Sequence, residues 1–161
     1  MPLFLNDTDV KTLMPMSDCV GVMEDAFTQA GDGKVWNRPR SRIRMPRSFH
    51  HLMVAYLADS EVFGLKTYTS FRSSTRFTTM LYDSNNGDLI AMVQGPRIGP
   101  SRTRDVSGVG TKHMPRENSS TVGVVGAGFQ SRGQLEGVCA VRDIASAKMF
   151  DASEGNSQKS C

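Results

Sequence analysis

Long apolar runs are missing from this chain. The longest uninterrupted one, Leu52 to Ala58, has seven residues, against about 20 for a helix that spans a bilayer. The N-terminus, MPLFLNDTDV, has no basic segment ahead of its apolar residues and turns acidic at once, so it does not read as a secretory signal. Both absences argue for a cytoplasmic protein without membrane contact. Cysteine is scarce as well: Cys19, Cys139 and Cys161 stand far apart and fit neither a metal-binding nor a redox spacing. That usage suits reduced thiols in a cytosol, and no metal centre is expected. A chain of 161 residues, 39% hydrophobic and 22% charged, is one domain, or one domain and part of another. Acid is missing locally. From Lys34 to Arg47 there are six basic residues (Lys34, Arg38, Arg40, Arg42, Arg44 and Arg47) and no Asp or Glu, although the whole chain carries only +3. An anion fits such a stretch. Nucleic acid does not, because Trp36 and Phe49 flank the run without interleaving it and give bases no stacking platform.

Phe4-Leu5 reads as a short opening strand, with Asn6, Asp7 and Thr8 as N-cap candidates for a helix that ends near Pro15. Ser17 is the expected cap of a second helix, in which Cys19, Met23, Ala26 and Ala30 recur at helical spacing until Gly31 and Gly33 close it. Strands follow at Arg42–Met45, Leu52–Leu57 and Val62–Phe71. Thr78–Tyr82 and Leu89–Val93 are joined by Asp83 to Asp88, whose Asn86-Gly87 pair supplies the positive φ angles of a hairpin. A helix is expected from about Ser101 to Met114, with Gly108 and Gly110 tolerated through close packing. Ser120–Val125 is a strand of the buried type, Gln130 to about Arg142 a helix with Leu135, Val138, Cys139 and Arg142 on one face, and Ala147–Phe150 a last strand before Asp151.

The segment Val122 to Asp151 carries a dinucleotide-binding pattern in its proper context. A glycine turn between strand and helix lets backbone N–H groups approach a pyrophosphate, and the helix N-terminus favours its charge. The turn reads Gly126-Ala127-Gly128-Phe129-Gln130-Ser131, with serine in place of the third glycine. Asp151, at the end of the next strand, stands where an acid hydrogen-bonds the adenosine ribose, which argues for NAD while leaving NADP possible.

Ordered blocks along the chain resemble the ornithine cyclodeaminase and mu-crystallin family, which includes ketimine reductases and alanine dehydrogenases. They are Arg38-Pro39-Arg40-Ser41-Arg42, Gly64-Leu65-Lys66, the hairpin with Asp83 and Gly87, Arg102-Thr103 with Ser107, and Val122 to Ser131. The resemblance implies that Arg40, Lys66 and Arg102 hold a substrate carboxylate, with Arg42 in reserve for the first of them. A guanidinium binds a carboxylate bidentately and fixes Cα against the nicotinamide. It implies cofactor contacts from Thr103, Gly126, Ala127, Gly128, Phe129, Gln130 and Asp151, and from Ser74 or Thr75. His51 stands near a polar or acidic position that faces substrate in relatives, and is otherwise structural; His50 and His113 read as surface or packing residues. Arg104 and Asp105 depart from the small residues usual after Arg-Thr, and are expected to pair with each other or a neighbour.

The fold expected is α/β: an α+β substrate and dimerisation domain over residues 1–118, then the first βαβ part of a Rossmann NAD(P)-binding domain over 119–161. The leading function is NAD-dependent conversion of L-ornithine to L-proline with loss of ammonia. The alternatives are an NAD(P)H-dependent ketimine or pyrroline-carboxylate reductase, an alanine dehydrogenase-like oxidoreductase, or a non-catalytic NAD(P)-binding remnant. The expected partners are a small amino or imino acid and a second copy of the chain in a homodimer. The aspartate that the resemblance credits with acid–base work would lie beyond Cys161, so the chain is expected to be an N-terminal fragment, inactive by itself and poorly soluble.

Overall fold

The computed structural model describes residues 1–95 and 98–152, leaving the side chains of residues 16, 17, 100, 101 and 129 undescribed. The tail from Ser153 to Cys161 lies outside the described residues. Two compact units form: Met1–Met14 with Asp25–Ile98, and Pro15–Glu24 with Gly99–Cys161. They divide the chain differently from a cut at 118, because α3 (Ile98–His113) and the first half of α2 (Met16–Gly31) group with the later strands.

The first unit is built on a seven-stranded sheet in the order β1-β7-β6-β5-β4-β2, with β3 also on β4. Its strands are β1 (Leu3–Leu5), β2 (Val35–Asn37), β3 (Ser41–Met45), β4 (Ser48–Leu57), β5 (Val62–Phe71), β6 (Thr75–Asp83) and β7 (Leu89–Gln94). β1 pairs parallel to β7 and every other pairing is antiparallel. β2 and β3 share one edge of β4: residues 35–37 pair with its last three residues and 41–45 with its first five. Pro39 lies between them. It has no N–H for the ladder, which gives the physical reason for the break. α1 (Asp7–Leu13) starts from a capping box, in which Asn6 accepts from Thr8 and Asp9 while Asp9 accepts from the Asn6 amide.

In the second unit β8 (Thr121–Val125) and β9 (Ser146–Phe150) pair in parallel, linked by α4 (Phe129–Cys139). This is the βαβ arrangement expected. α3 packs on α4 at two glycines. A Cβ at Gly137 would overlap the Arg104 carbonyl, and one at Gly108 would come within 3.0 Å of the Gly137 carbonyl oxygen and 3.3 Å of Val20. Close packing therefore accounts for Gly108. Gly110 meets nothing within 4 Å and has no such reason.

Several expectations are corrected. Ser17 lies inside α2, which begins at Met16, so it is not the N-cap; its side chain is outside the description. α3 begins at Ile98 and places Arg102 in the second turn, away from the helix start and its dipole. α4 stops at Cys139. Arg142 therefore leaves the helical face shared by Leu135 and Val138 and donates to the carbonyls of Thr111, Lys112, Pro115 and Glu117, closing the C-terminal end of α3. Cys139 is exposed rather than packed. In the β6–β7 loop only Gly87 has positive φ, at 79°, because Asp83 and Asn86 side chains accept from Asn85 and Asp88 and shape the remaining turn. β2 has no counterpart among the expected strands, and β4 and β6 start earlier than their apolar runs, in the polar stretches Ser48–His51 and Thr75–Phe77.

Candidate functional site

The glycine turn follows β8 directly. Gly126 has φ of 95°, a conformation that L side chains rarely adopt, and donates its N–H to the Phe150 carbonyl at 2.7 Å. That bond ties the turn to the end of β9. Gly128 is the N-cap of α4 with extended backbone and no side-chain cap; its carbonyl accepts from the Ser131 amide at 3.1 Å, while the Phe129 and Gln130 amides come too early in the helix for an intrahelical acceptor. A Cβ at Gly126 or Gly128 would meet no atom of this chain within 4 Å. Gly128 is therefore not glycine because of its own fold: the space beside it suits a group that approaches the backbone. Ser131, in place of the third glycine, turns its hydroxyl back to the Gly128 carbonyl at 2.6 Å and leaves the turn clear. A groove of about 520 Å³ runs from this turn along β8, walled by Val122, Val124, Leu135 and Val138. An anionic, two-phosphate ligand fits the turn by backbone shape and dipole sign.

Asp151 does stand at the end of β9, and its Oδ2 accepts from the Ala127 amide at 2.6 Å. The acid is thus held against the turn as a structural latch, a role the sequence pattern did not indicate. Gln130 is exposed at the start of α4, and the Phe129 side chain lies outside the description. Thr103 is exposed, and its hydroxyl donates to the Gly99 carbonyl at 3.0 Å. Nearby, Arg104 Nε donates to Asp105 Oδ1 at 3.2 Å, meeting the expectation of a pair. Asp105 is 1% exposed. Burial, then the Asp105 charge, push the Cys19 thiol above its ordinary pKa, which makes this thiol a packing group.

The second set of site residues lies on one face of the first unit's sheet. Arg42, His51, Tyr68 and Phe77 are register partners across β3, β4, β5 and β6. Lys66, two residues from Tyr68, shares that face, as does Thr75 at the start of β6. The Lys66 ammonium sits 5.6 Å from the Tyr68 ring centre and 5.3 Å from that of Phe77, so aromatic faces offset part of the cost of a charge in an apolar strand. Arg40 is exposed just ahead of β3, and the Arg42 guanidinium lies 5.8 Å from the Phe49 ring centre. His51 stacks on Tyr68 at 4.2 Å with the rings 10° from parallel. It is buried, and its Nδ1 has no hydrogen-bond partner. Burial first, then Arg42, Arg40 and His50, hold its pKa below the ordinary histidine value. His50, on the opposite face, is satisfied by the Thr67 and Thr69 hydroxyls at 2.8 and 2.9 Å. His113 pairs with Glu24 at 2.6 Å and is structural in the same sense. Arg40, Lys66 and Thr75 thus belong to the first unit, and Arg102, Thr103, the glycine turn and Asp151 to the second. Ser74 closes the β5–β6 turn with its backbone carbonyl, which accepts from the Phe71 amide.

Known proteins share this pattern. A Delta(1)-pyrroline-2-carboxylate reductase of Bacillus cereus is 34% identical over 101 residues, 58% of this chain and 31% of the relative. The structure of Thermococcus litoralis Delta(1)-pyrroline-2-carboxylate reductase with NADH and L-proline matches with a TM-score of 0.85 and 32% identity, covering 98% of this chain and 52% of that one. An archaeal alanine dehydrogenase dimer with bound NAD matches with a TM-score of 0.90 and 26% identity, over 99% of this chain and 51% of that one. The chain thus spans between about a third and a half of the length of these relatives. The family model for ornithine cyclodeaminase and mu-crystallin matches residues 1–161, and the chain belongs to that family.

Proposed function

We propose that this chain serves an NAD(P)H-dependent reductase of α-imino acids, of the ketimine or pyrroline-2-carboxylate type. The glycine turn at Gly126 to Gln130 holds the dinucleotide pyrophosphate, and Asp151 faces the adenosine ribose while latching the turn through Ala127. Residues 119–161 act as the start of the dinucleotide-binding domain, and the preceding residues as the substrate domain. Arg40, Lys66 and Arg102 hold the substrate carboxylate, with Thr75 and Thr103 on the cofactor side. When bound, the dihydronicotinamide supplies a hydride to the imine carbon, and a proton taken up at nitrogen completes the amine. The residues of this chain bind and orient the reactants; a carboxylate fixed on a lysine and guanidiniums presents one face of the C=N bond to the hydride donor.

The observation that carries this reading against the ornithine reaction is the charge of the face around Lys66. Arg42 stands on the same face two strands away, with Arg40 just ahead of its strand, and the rows Phe49–Ser70–Thr75, His51–Tyr68–Phe77 and Met53–Lys66–Thr79 contain no Asp or Glu. Such a face suits carboxylates, and its described rows offer no counter-charge to the side-chain ammonium of ornithine. The pyrroline-2-carboxylate reductases among the relatives support the same choice. The expected assembly is a homodimer, for which the archaeal alanine dehydrogenase dimer is the precedent. The test is to supply the protein with Δ1-pyrroline-2-carboxylate and NADH, and separately with L-ornithine and NAD⁺. NADH oxidation in the first case without ammonia in the second supports the proposal, and ammonia release from ornithine overturns it.

A further inference from the structure

We infer that Arg104 is a positioning residue for the proposed reduction: seated on two glycines of α4 and paired with the buried Asp105, it locks α3 in one register against α4. The lock sets Arg102 and Thr103 relative to the dinucleotide turn. The inference rests on the reductase reading and adds to it a residue that touches neither reactant.

The seat is built into α4. Gly133 and Gly137 are four residues apart and share one face of that helix. A Cβ at Gly137 would overlap the Arg104 carbonyl and stand 3.1 Å from the Arg104 Cγ. One at Gly133 would lie 3.8 Å from both Cβ and Cδ of Arg104. Backbone and side-chain stem of one residue therefore run along both glycines. The contact is mutual, since a Cβ at Gly108 of α3 would come within 3.0 Å of the Gly137 carbonyl oxygen. A slide of α3 along α4 would carry the Arg104 carbonyl off Gly137 and onto a residue that has a Cβ.

Charge fixes the same register. Asp105 is 1% exposed, and Arg104 Nε donates to its Oδ1 at 3.2 Å. The Arg104 side chain is itself 19% exposed and lies 3.9 Å from the Glu136 carboxylate of α4. On the α2 side, Val20 stands 3.3 Å from where a Gly108 Cβ would be, and Cys19 is close enough to feel the Asp105 charge. Apolar side chains of the same volume are often as stabilising as a buried ion pair, so stability alone gives no reason for this one. What the pair adds is a single permitted arrangement, because a slipped helix would leave a charge buried and unmatched. At the other end, Arg142 holds the carbonyls of Thr111 and Lys112 in α3 and those of Pro115 and Glu117 beyond it. α3 is pinned to the βαβ unit at both ends.

Placement gives the lock its use. Arg102 and Thr103 directly precede Arg104 in α3, and Gly128 of the dinucleotide turn lies just ahead of α4. Slipping α3 by one residue would move Arg102 by about 1.5 Å along the helix and turn it by about 100°. Hydride transfer tolerates little of this, since the reacting atoms must be held within about 3.5 Å of one another. Dinucleotide affinity tolerates more, because the pyrophosphate turn and Asp151 lie outside α3.

The test removes the ion pair as a unit. Arg104→Met with Asp105→Leu keeps a stem on the glycines and leaves no buried charge unmatched, so the fold survives. NADH affinity should stay within about threefold of the unaltered protein, while kcat for NADH oxidation with Δ1-pyrroline-2-carboxylate falls about tenfold or more. Amides of residues 102–105 should exchange with solvent about tenfold faster, with those of β8 unchanged. Arg104→Lys, a milder change that keeps the charge without the planar fork, should lower kcat by about threefold at unaltered NADH affinity. Unaltered kcat in either variant overturns the inference, as does a kcat loss matched by an equal loss of NADH affinity, or unchanged exchange in α3. The reductase reading fails separately, if the unaltered protein oxidises no NADH with any imine; hydrogen exchange then still decides whether Arg104 fixes α3.

Discussion

Single residues divide here into those whose role follows from type and those whose role follows from position. Asp151 is of the first kind: an acid at the end of the second strand of a dinucleotide unit is readable in sequence, although its bond to the Ala127 amide is not. His51 is of the second kind. Only the register that stacks it on Tyr68 and sets it opposite Arg42 separates it from His50, its neighbour in sequence with both nitrogens satisfied. Its pKa is lowered in the folded protein, by burial first and then by the arginines. The unfolded chain therefore takes up a proton at His51 before the folded one does. It follows that the His51 contribution to stability is intact above the ordinary histidine pKa of about 6.5 and is lost as pH falls below it toward the lowered folded value. Urea unfolding across that window should show stability falling faster with acid in the unaltered protein than in His51→Gln. Identical slopes would show that His51 titrates alike in both states.

Elements are where glycine carries the argument. Gly137 and Gly110 both sit in helices, and sequence alone gives no ground for ranking them. The structure does: a Cβ at Gly137 would run into the Arg104 backbone, while one at Gly110 meets open space. Gly137→Ala should therefore destabilise by about 1–3 kcal/mol, as overpacking does when backbone must move. Gly110→Ala should stabilise by up to about 1 kcal/mol through helix propensity. Thermal or urea unfolding of the two variants checks both signs, and equal effects would contradict the α3–α4 contact. Strand boundaries show a related limit of sequence. β5 is legible end to end, because polar Asp59-Ser60-Glu61 precedes an unbroken β-prone run. β4 extends back through Ser48, Phe49, His50 and His51 only because β3 and β5 supply partners on both sides. Arg142 shows the same limit, since its helical spacing from Leu135 and Val138 is real but the helix ends first.

At the scale of the molecule, the sheet of the first unit has one face rich in cations and one rich in apolar groups. Trp36, Tyr56, Phe63 and Tyr82 are register partners across β2, β4, β5 and β6 on the second face, which also carries Ile43, Leu52, Val54 and Phe71. Trp36 and Ile43 are 59% and 61% exposed. Exposed apolar side chains of this kind suit an interface, and the proposed homodimer would use this face. Trp36→Lys with Ile43→Lys should shift sedimentation from dimer to monomer, whereas a persistent dimer would locate the interface elsewhere. Family and βαβ unit were legible because their motifs are local, a glycine turn between strand and helix and short blocks around Lys66 and Arg102. The proposed choice of imine reduction over ammonia loss was not, because it is argued from the charges that the strand register gathers on one face.

The central claim is that the turn after β8 holds a nicotinamide dinucleotide, with Asp151 as both latch and ribose partner. Titration of the protein with NADH and NADPH, followed by the change in nicotinamide fluorescence, tests it most directly, with Asp151→Asn alongside. Saturable binding of NADH to the unaltered protein is expected, tighter than NADPH, with a loss of about tenfold or more in NADH affinity in Asp151→Asn, as for a charge-assisted hydrogen bond. No saturable binding of either dinucleotide, or binding indifferent to Asp151, would contradict it.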